Sequence, residues 1–273
     1  MWHPERQSCF WVDIEAHLIY EYQWQNKVVQ QYPAGKRISL IVPGKGEDLI
    51  IGLQGGVARL DLATKEVIMI TVLDVNWETH RCNDGGCDSV GRLWISTTAL
   101  NHEPEEGNMY SVEPDGEVVK KLERITIPNG IVWTADQQQL FFTDSMTGNI
   151  FRCVYDVANG WPEAPQIAFR VPENSGYPDG MATDREGMLW IALWGGYGVG
   201  RFDPQSGEMT DFIEVPVPNV SACAFAGPDL DQLIITTAKK GMSEEDLQKY
   251  PHSGSIFIFK PGVSGVKCYP CAL

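Results

Sequence analysis

Tyr177-Pro178-Asp179-Gly180-Met181, followed by Leu189-Trp190-Ile191-Ala192 and then Trp194-Gly195-Gly196, decides the fold. Proline fixes φ and glycine tolerates positive φ, so the first segment reads as a tight corner that holds an acidic side chain. The second reads as a short apolar strand. Two other places repeat the design with a different polar residue. Asn83-Asp84-Gly85 precedes Arg92-Leu93-Trp94-Ile95, and Pro128-Asn129-Gly130 precedes Leu140-Phe141-Phe142. Polar groups at equivalent points of successive repeats converge on one spot when the repeats are arranged in a ring.

The repeats extend over the whole chain. β-rich runs occur at Cys9-Phe10-Trp11-Val12-Asp13, Asp48-Leu49-Ile50-Ile51-Gly52-Leu53, Arg92-Leu93-Trp94-Ile95-Ser96-Thr97, Leu140-Phe141-Phe142-Thr143-Asp144, Met188-Leu189-Trp190-Ile191-Ala192 and Gln232-Leu233-Ile234-Ile235-Thr236-Thr237. Successive runs begin roughly 40 to 48 residues apart, the spacing of propeller blades. Most lead into a second alternating strand and a turn, as in Gly198-Val199-Gly200-Arg201-Phe202-Asp203 before Gln205-Ser206-Gly207. Six such units predict an all-β six-bladed β-propeller. No Pro- or Ser-rich linker divides the chain, so residues 1–273 are expected to form a single domain. The exception to the β pattern begins at Ser243, where Asp246 completes a capping box and Pro251 stops a short helix.

Composition excludes several function classes. With 43% hydrophobic and 21% charged residues, the chain is that of a globular protein with a large core. No apolar run approaches the roughly 18–20 residues that span a bilayer, and Met1-Trp2-His3-Pro4-Glu5-Arg6 lacks the apolar segment of a secretory leader. No membrane partner is expected. A net charge of −15 offers no basic stripe to phosphates, so no nucleic-acid partner is expected either. The seven cysteines are odd in number and scattered, which points to a reducing, cytoplasmic location rather than a disulfide framework. Cys268-Tyr269-Pro270-Cys271 has CxxC spacing with no second pair, and reads as surface placement rather than a metal or redox motif. Cys82 and Cys87, which flank Asn83, read as small buried hydrophobes, with a soft metal ligand as the alternative. Composition sets no oligomeric state.

In a propeller the loops entering the inner strands meet at one mouth of the central channel, so the polar corners before those strands are the expected site. The candidates are Arg81, Asn83, Asp84, Asn101, Asn129 and Asp179. Asp and Asn oxygens suit hard or borderline divalent cations, among them Ca²⁺, Zn²⁺, Mn²⁺ and Fe²⁺. Asn-Gly and Asp-Gly pairs are also ordinary turn residues, and only their recurrence at matching points of the repeats singles them out. Arg81 suits a polyol or carboxylate, or a structural ion pair. Glu15 and His17 read as solvated turn residues. No Gly-x-Ser-x-Gly elbow and no Gly-rich loop ending in Lys-Ser/Thr occurs, which removes a serine hydrolase and a P-loop enzyme.

The chain resembles the senescence marker protein (regucalcin)/gluconolactonase family of six-bladed propellers. The matches are Arg81-Cys82-Asn83-Asp84-Gly85, Asp88-x-x-Gly91-Arg92-Leu93-Trp94, Asn129-Gly130, Pro178-Asp179-Gly180-Met181, Asp184-x-Glu186-Gly187-x-Leu189-Trp190, Arg201-Phe202-Asp203-Pro204 and Ser253-Gly254-x-Ile256-Phe257. Ala192-Leu193-Trp194-Gly195-Gly196 and Thr236-Thr237-Ala238-Lys239-Lys240-Gly241 are similar to bacterial sugar lactonases of the xylonolactonase type. The resemblance implies one divalent metal held by a Glu, an Asn and an Asp. It carries the Asn ligand onto Asn129 and the Asp ligand onto Asp179, and the sugar-binding Arg and Asn onto Arg81 and Asn83. Asn83 is then also near the metal. Asn101 falls where some members carry a substrate-contacting Glu. The ligand Glu lies in an N-terminal Leu-Gly-Glu-Gly-Pro-x-Trp segment in the family. This chain opens Met1-Trp2-His3-Pro4, as though Met1 stood at the x position. Truncation at an internal Met and loss of the ligand both account for that, and either leaves the first blade with part of its inner strand.

The implied activity is metal-dependent hydrolysis of an aldono-1,4- or 1,5-lactone to the aldonic acid, with a sugar lactone as the small-molecule partner. Asp179 is the expected catalytic residue and metal ligand, and Trp194 or Tyr197 an apolar wall against the sugar. The alternatives are a calcium- or metal-binding regulatory propeller with weak or no turnover, and metal-dependent phosphotriester or aryl-ester hydrolysis at the same site.

Overall fold

Short runs rich in Val, Ile, Leu and aromatics, bounded by Gly, Asp and Asn turns, form strands because branched and flat side chains pack on a pleated surface. The computed structural model describes residues 1–273, and its 24 strands form six antiparallel sheets. These are blade 1 (residues 2–33), blade 2 (38–71), blade 3 (80–125), blade 4 (128–170), blade 5 (177–214) and blade 6 (220–259). Their first strands are Trp2–His3, Ile38–Pro43, His80–Cys87, Pro128–Trp133, Tyr177–Thr183 and Val220–Ala226, and they neighbour one another around a central channel. The fold is the expected six-bladed β-propeller.

One expectation is corrected. The polar motifs are not corners that precede the inner strands. They are the inner strands, and the apolar runs are the second strand of each blade. Leu189–Trp194, for example, pairs with Tyr177–Thr183 on one side and Gly198–Phe202 on the other. A strand with partners on both edges and blades on both faces is dry all round. Trp190, Ile191, Ala192 and Leu193 are accordingly buried. The inner strand has a free edge along the channel, where Pro178 gives up no ladder hydrogen bond.

Six apolar clusters each fill one interface between adjacent blades. Phe10, Ile19, Ile38 and Leu49 join blades 1 and 2, and Trp94, Trp133, Leu140 and Tyr155 join blades 3 and 4. The ring closes between blades 6 and 1 on the smallest cluster, Trp2, Cys9, Ala226 and Ile234. Blade 1 meets that closure with an inner strand of two residues. The helix α1, Glu244–Lys249, lies in the loop after the second strand of blade 6. Ser243 and Asp246 make the predicted capping box. No helix is long and apolar enough to cross a membrane.

Candidate functional site

Blades 2 to 6 share a device. In each, the register between the inner strand and its partner shifts by one residue near the mouth end: between Ile38 and Leu40, between Cys82 and Gly85, between Asn129 and Val132, between Pro178 and Met181, and between Val220 and Ala222. A β-bulge leaves a residue out of the ladder and re-aims its side chain. Ser39, Asn83, Asp179 and Ser221 fall within these bulges, and Asn129, paired with Thr143, borders its own. The glycines have a packing reason. A Cβ on Gly130, whose φ is +60°, would sit 2.5 Å from Met181 Cε and 2.9 Å from the Asp179 carbonyl oxygen. One on Gly180 would sit 2.7 Å from Ala222 Cβ. The Asn-Gly and Asp-Gly pairs therefore let neighbouring inner strands approach, rather than form hairpin turns.

The sequence candidates join in a chain across blades 3 and 4. Arg81 donates to Asn83 Oδ1 at 2.6 Å, and Asn83 Nδ2 donates to Asn129 Oδ1 at 2.7 Å and to the Pro128 carbonyl at 2.9 Å. Asn129 Nδ2 donates to Ser145 Oγ at 2.9 Å. Asp84 accepts from the Gly130 N–H at 2.6 Å and the Gly85 N–H at 2.8 Å, tying blade 3 to blade 4. Arg81, Asn83 and Asn129 are buried.

Asp179 differs from all of these. No side chain donates a hydrogen bond to its carboxylate. Burial pushes its pKa up to about 8, the charge of Asp84 adds to the rise, and Arg81 opposes it. Burial also raises Asp84. Arg81 is lowered by burial, against the attraction of Asp179 and Glu15. The site thus holds two carboxyls that resist ionising together and one guanidinium that partly offsets them.

At the rim, Glu15 is exposed on a turn of blade 1, as expected. It also accepts from Arg37 Nε at 3.1 Å and pairs with Lys240 Nζ at 3.6 Å, joining blade 1 to the segment before blade 2 and to the α1 loop. Asn101 lies on the exposed mouth-side loop of blade 3. Its Oδ1 accepts from the Glu103 N–H at 3.2 Å, and it makes no hydrogen bond with the buried chain. Tyr197 donates to or accepts from Tyr250 of the α1 loop at 2.8 Å. Cys82 points away from the channel, its Sγ 3.0 Å from the Leu53 carbonyl, and burial lifts its pKa to about 12.

The opposite end of the channel is built differently. Asp184 is buried and accepts from the Glu186 and Met188 N–H groups, from Trp190 Nε1 at 3.0 Å and from Arg201 Nε at 2.8 Å. Asp88 of blade 3 likewise accepts from the Val90 and Arg92 N–H groups, from the Arg92 guanidinium and from Tyr155 Oη at 2.6 Å. The C-terminal segment then runs across this floor. Val266 N–H donates to the Thr183 carbonyl at 3.0 Å on blade 5, and Cys271 N–H to the Pro43 carbonyl at 2.7 Å on blade 2. The segment therefore covers the end of the propeller opposite Asp179.

No group of three or more His, Cys, Asp or Glu side chains is arranged to hold a metal ion. The oxygens of Asp179 and Asn129 nevertheless fit a hard divalent cation. Asp179 lacks a side-chain partner, and its carboxyl, raised by burial and by the charge of Asp84, is relieved by a cation placed beside it. Sequence reasoning missed Ser145, Ser39, Ser221 and the C-terminal floor. Ser39 and Ser221 carry no following glycine, so only the bulge register reveals them.

Residues 1–239 match the SMP-30/Gluconolactonase/LRE-like region, and the chain belongs to that family. It is 30% identical to a putative sugar lactone lactonase of Bacillus subtilis over 272 residues, covering 100% of this chain and 93% of the relative. It is also 30% identical to the regucalcin of Gallus gallus over 278 residues, covering 100% and 93%. Among solved structures, a calcium-binding regucalcin of Agrobacterium tumefaciens superposes with a TM-score of 0.94 at 25% identity, covering 100% of this chain and 92% of that one. A luciferin-regenerating enzyme superposes at 0.92 with 26% identity, covering 100% and 94%.

Proposed function

We propose that the protein hydrolyses a sugar lactone, an aldono-1,4- or 1,5-lactone, to the aldonic acid, with a divalent cation as cofactor. The observation that carries this reading is Asp179, a carboxyl with no side-chain partner beside the Arg81–Asn83–Asn129 chain. Family membership and the naming of one relative as a sugar lactone lactonase support it.

Asp179 and Asn129 would hold the cation, which when bound supplies Lewis-acid polarisation of the lactone carbonyl. The Arg81 guanidinium is fixed by Asn83 and aims its remaining donors at hydroxyl or ring oxygens of the sugar. Asn83 is held by Pro128 and Asn129, so its position is set before substrate arrives. Asp179, kept ionised by the bound cation, takes the proton from the attacking water. That proton then passes to the departing ring oxygen, so that ring opening yields the acid and a free hydroxyl. The channel is closed at the floor, and sugar enters and leaves at one end.

The test is a panel of pentono- and hexono-lactones against chelated and metal-reloaded protein. We expect a metal-dependent rate on at least one lactone, lowered about a thousandfold in kcat/KM by Asp179→Ala with the fold retained. Metal-dependent hydrolysis that is unchanged in Asp179→Ala would overturn the assignment. One second reading is a metal-binding propeller without turnover, because one similar structure is described as a calcium-binding protein. Calcium binding with no lactone turned over on the panel is the outcome that reading expects.

A further inference from the structure

The floor of the channel carries chemistry that the proposed hydrolysis does not use. Of the seven cysteines, Cys87 and Cys271 come together there, each thiol perturbing the other. Cys87 lies at the floor end of the blade 3 inner strand, opposite Leu93, and Cys271 belongs to the C-terminal segment. Both are buried in one apolar cluster with Leu40, Leu93, Ile95 and Val112.

The segment that brings Cys271 to Cys87 is held lightly. After Val266, the next backbone hydrogen bonds to the blades are those of Cys271 to Pro43 and of Ala272 to Gly91, at 2.7 and 2.9 Å. The approach is close: a Cβ on Gly91 would sit 2.7 Å from Ala272 Cβ. Cys268 is exposed whereas Cys271 is only 1% exposed, so the two sulfurs of the CxxC take opposite sides of the segment. Pro270 between them fixes φ and biases Tyr269 toward an extended backbone, which disfavours the tight turn that would bring Cys268 to Cys271.

We propose that Cys87 and Cys271 form a reversible disulfide that locks the C-terminal segment onto the channel floor. The oxidant is a small-molecule disulfide, RSSR. The Cys271 thiolate attacks one sulfur of RSSR when the segment lifts, giving the mixed disulfide and RS⁻. The Cys87 thiolate then displaces the second RS⁻ and forms the Cys87–Cys271 bond. The two thiol protons pass to the two RS⁻ leaving groups, so two cysteines are oxidised and one RSSR is reduced to two RSH. The neighbouring Cys87 thiol lowers the Cys271 thiol, which favours Cys271 as the first nucleophile. A bridge between the inner strand of blade 3 and the chain terminus constrains the unfolded chain and fixes the segment that closes the channel.

The full-length protein is incubated with glutathione disulfide to constant thiol content, alkylated under denaturing conditions and digested. We expect two of seven thiols lost, one cross-linked peptide pair containing Cys87 and Cys271, and full recovery with dithiothreitol. The oxidised form melts several degrees higher and resists carboxypeptidase. Cys268→Ser preserves the link, whereas Cys87→Ser or Cys271→Ser abolishes it. Seven thiols remaining at constant thiol content, a Cys268–Cys271 link, or glutathione retained on Cys271 without a cross-link would each overturn the proposal.

Discussion

Asp179 and Asp184 belong to the same blade, one near each end of its inner strand, and they have opposite surroundings. Asp184 accepts from two backbone N–H groups, an indole and a guanidinium, and is closed off from solvent. Asp179 faces the channel with no side-chain donor, against the charge of Asp84. Blade 3 shows only a weaker form of the contrast, since Asp84 at the bulge accepts from the Gly85 and Gly130 N–H groups while Asp88 at the floor accepts from a guanidinium and a hydroxyl as well. A buried carboxylate whose lone pairs are filled holds a turn together, and one left short of donors is available to a cation, a proton or a substrate. Family motifs contain both kinds. Asp88-x-x-Gly91 and Asp184-x-Glu186-Gly187 pin the floor, and Asn129-Gly130 and Asp179-Gly180 line the mouth.

The comparison breaks first at Asp184. Asp184→Ala strips Arg201 and Trp190 of their buried acceptor, and we expect a loss of about 3–5 kcal/mol in denaturant unfolding. A loss no greater than that of Asp179→Ala would mean the floor carboxylate is not structural.

Titration sharpens the contrast next. The folded pKa of Asp179, about 8 without metal, lies above the unfolded value of about 3.9. The folded state therefore binds the proton more tightly. The stability this contributes is fully present below the unfolded value and is lost as pH rises toward and through 8. Chelated protein should melt at progressively lower temperature between pH 5 and pH 8, and Asp179→Asn should flatten that decline. Parallel pH profiles for the two proteins would show that Asp179 does not titrate there.

The smallest effect is expected at the rim. Glu15 is half-exposed between Arg37 and Lys240, so Glu15→Gln should change stability by about 0.5 kcal/mol or less, and less still at high salt. A larger, salt-independent loss would place the rim pairs with the floor carboxylates rather than with exposed ion pairs.

Blade number and the meeting of Asn83 with Asn129 were legible because each blade repeats one apolar run and one polar motif at nearly fixed spacing. The helix was legible because its caps are local. The assignment of the polar motifs to corners was not correct. Pro178 and Gly180 carry the same local preference in a turn and in an edge strand with a bulge, and only the neighbouring blade distinguishes the two. The place of Cys271 against Cys87 was illegible for a related reason: no periodicity links a terminal segment to a strand so far back in the chain.

Sequence alone thus determined the ring of β blades and the residue types gathered at its axis, since both follow from alternation and repetition along the chain. Tertiary structure decided which end the C-terminal segment covers, which aspartates are satisfied and which two thiols meet. Those are distances between segments remote in sequence, and they exist only once the blades have closed into a ring.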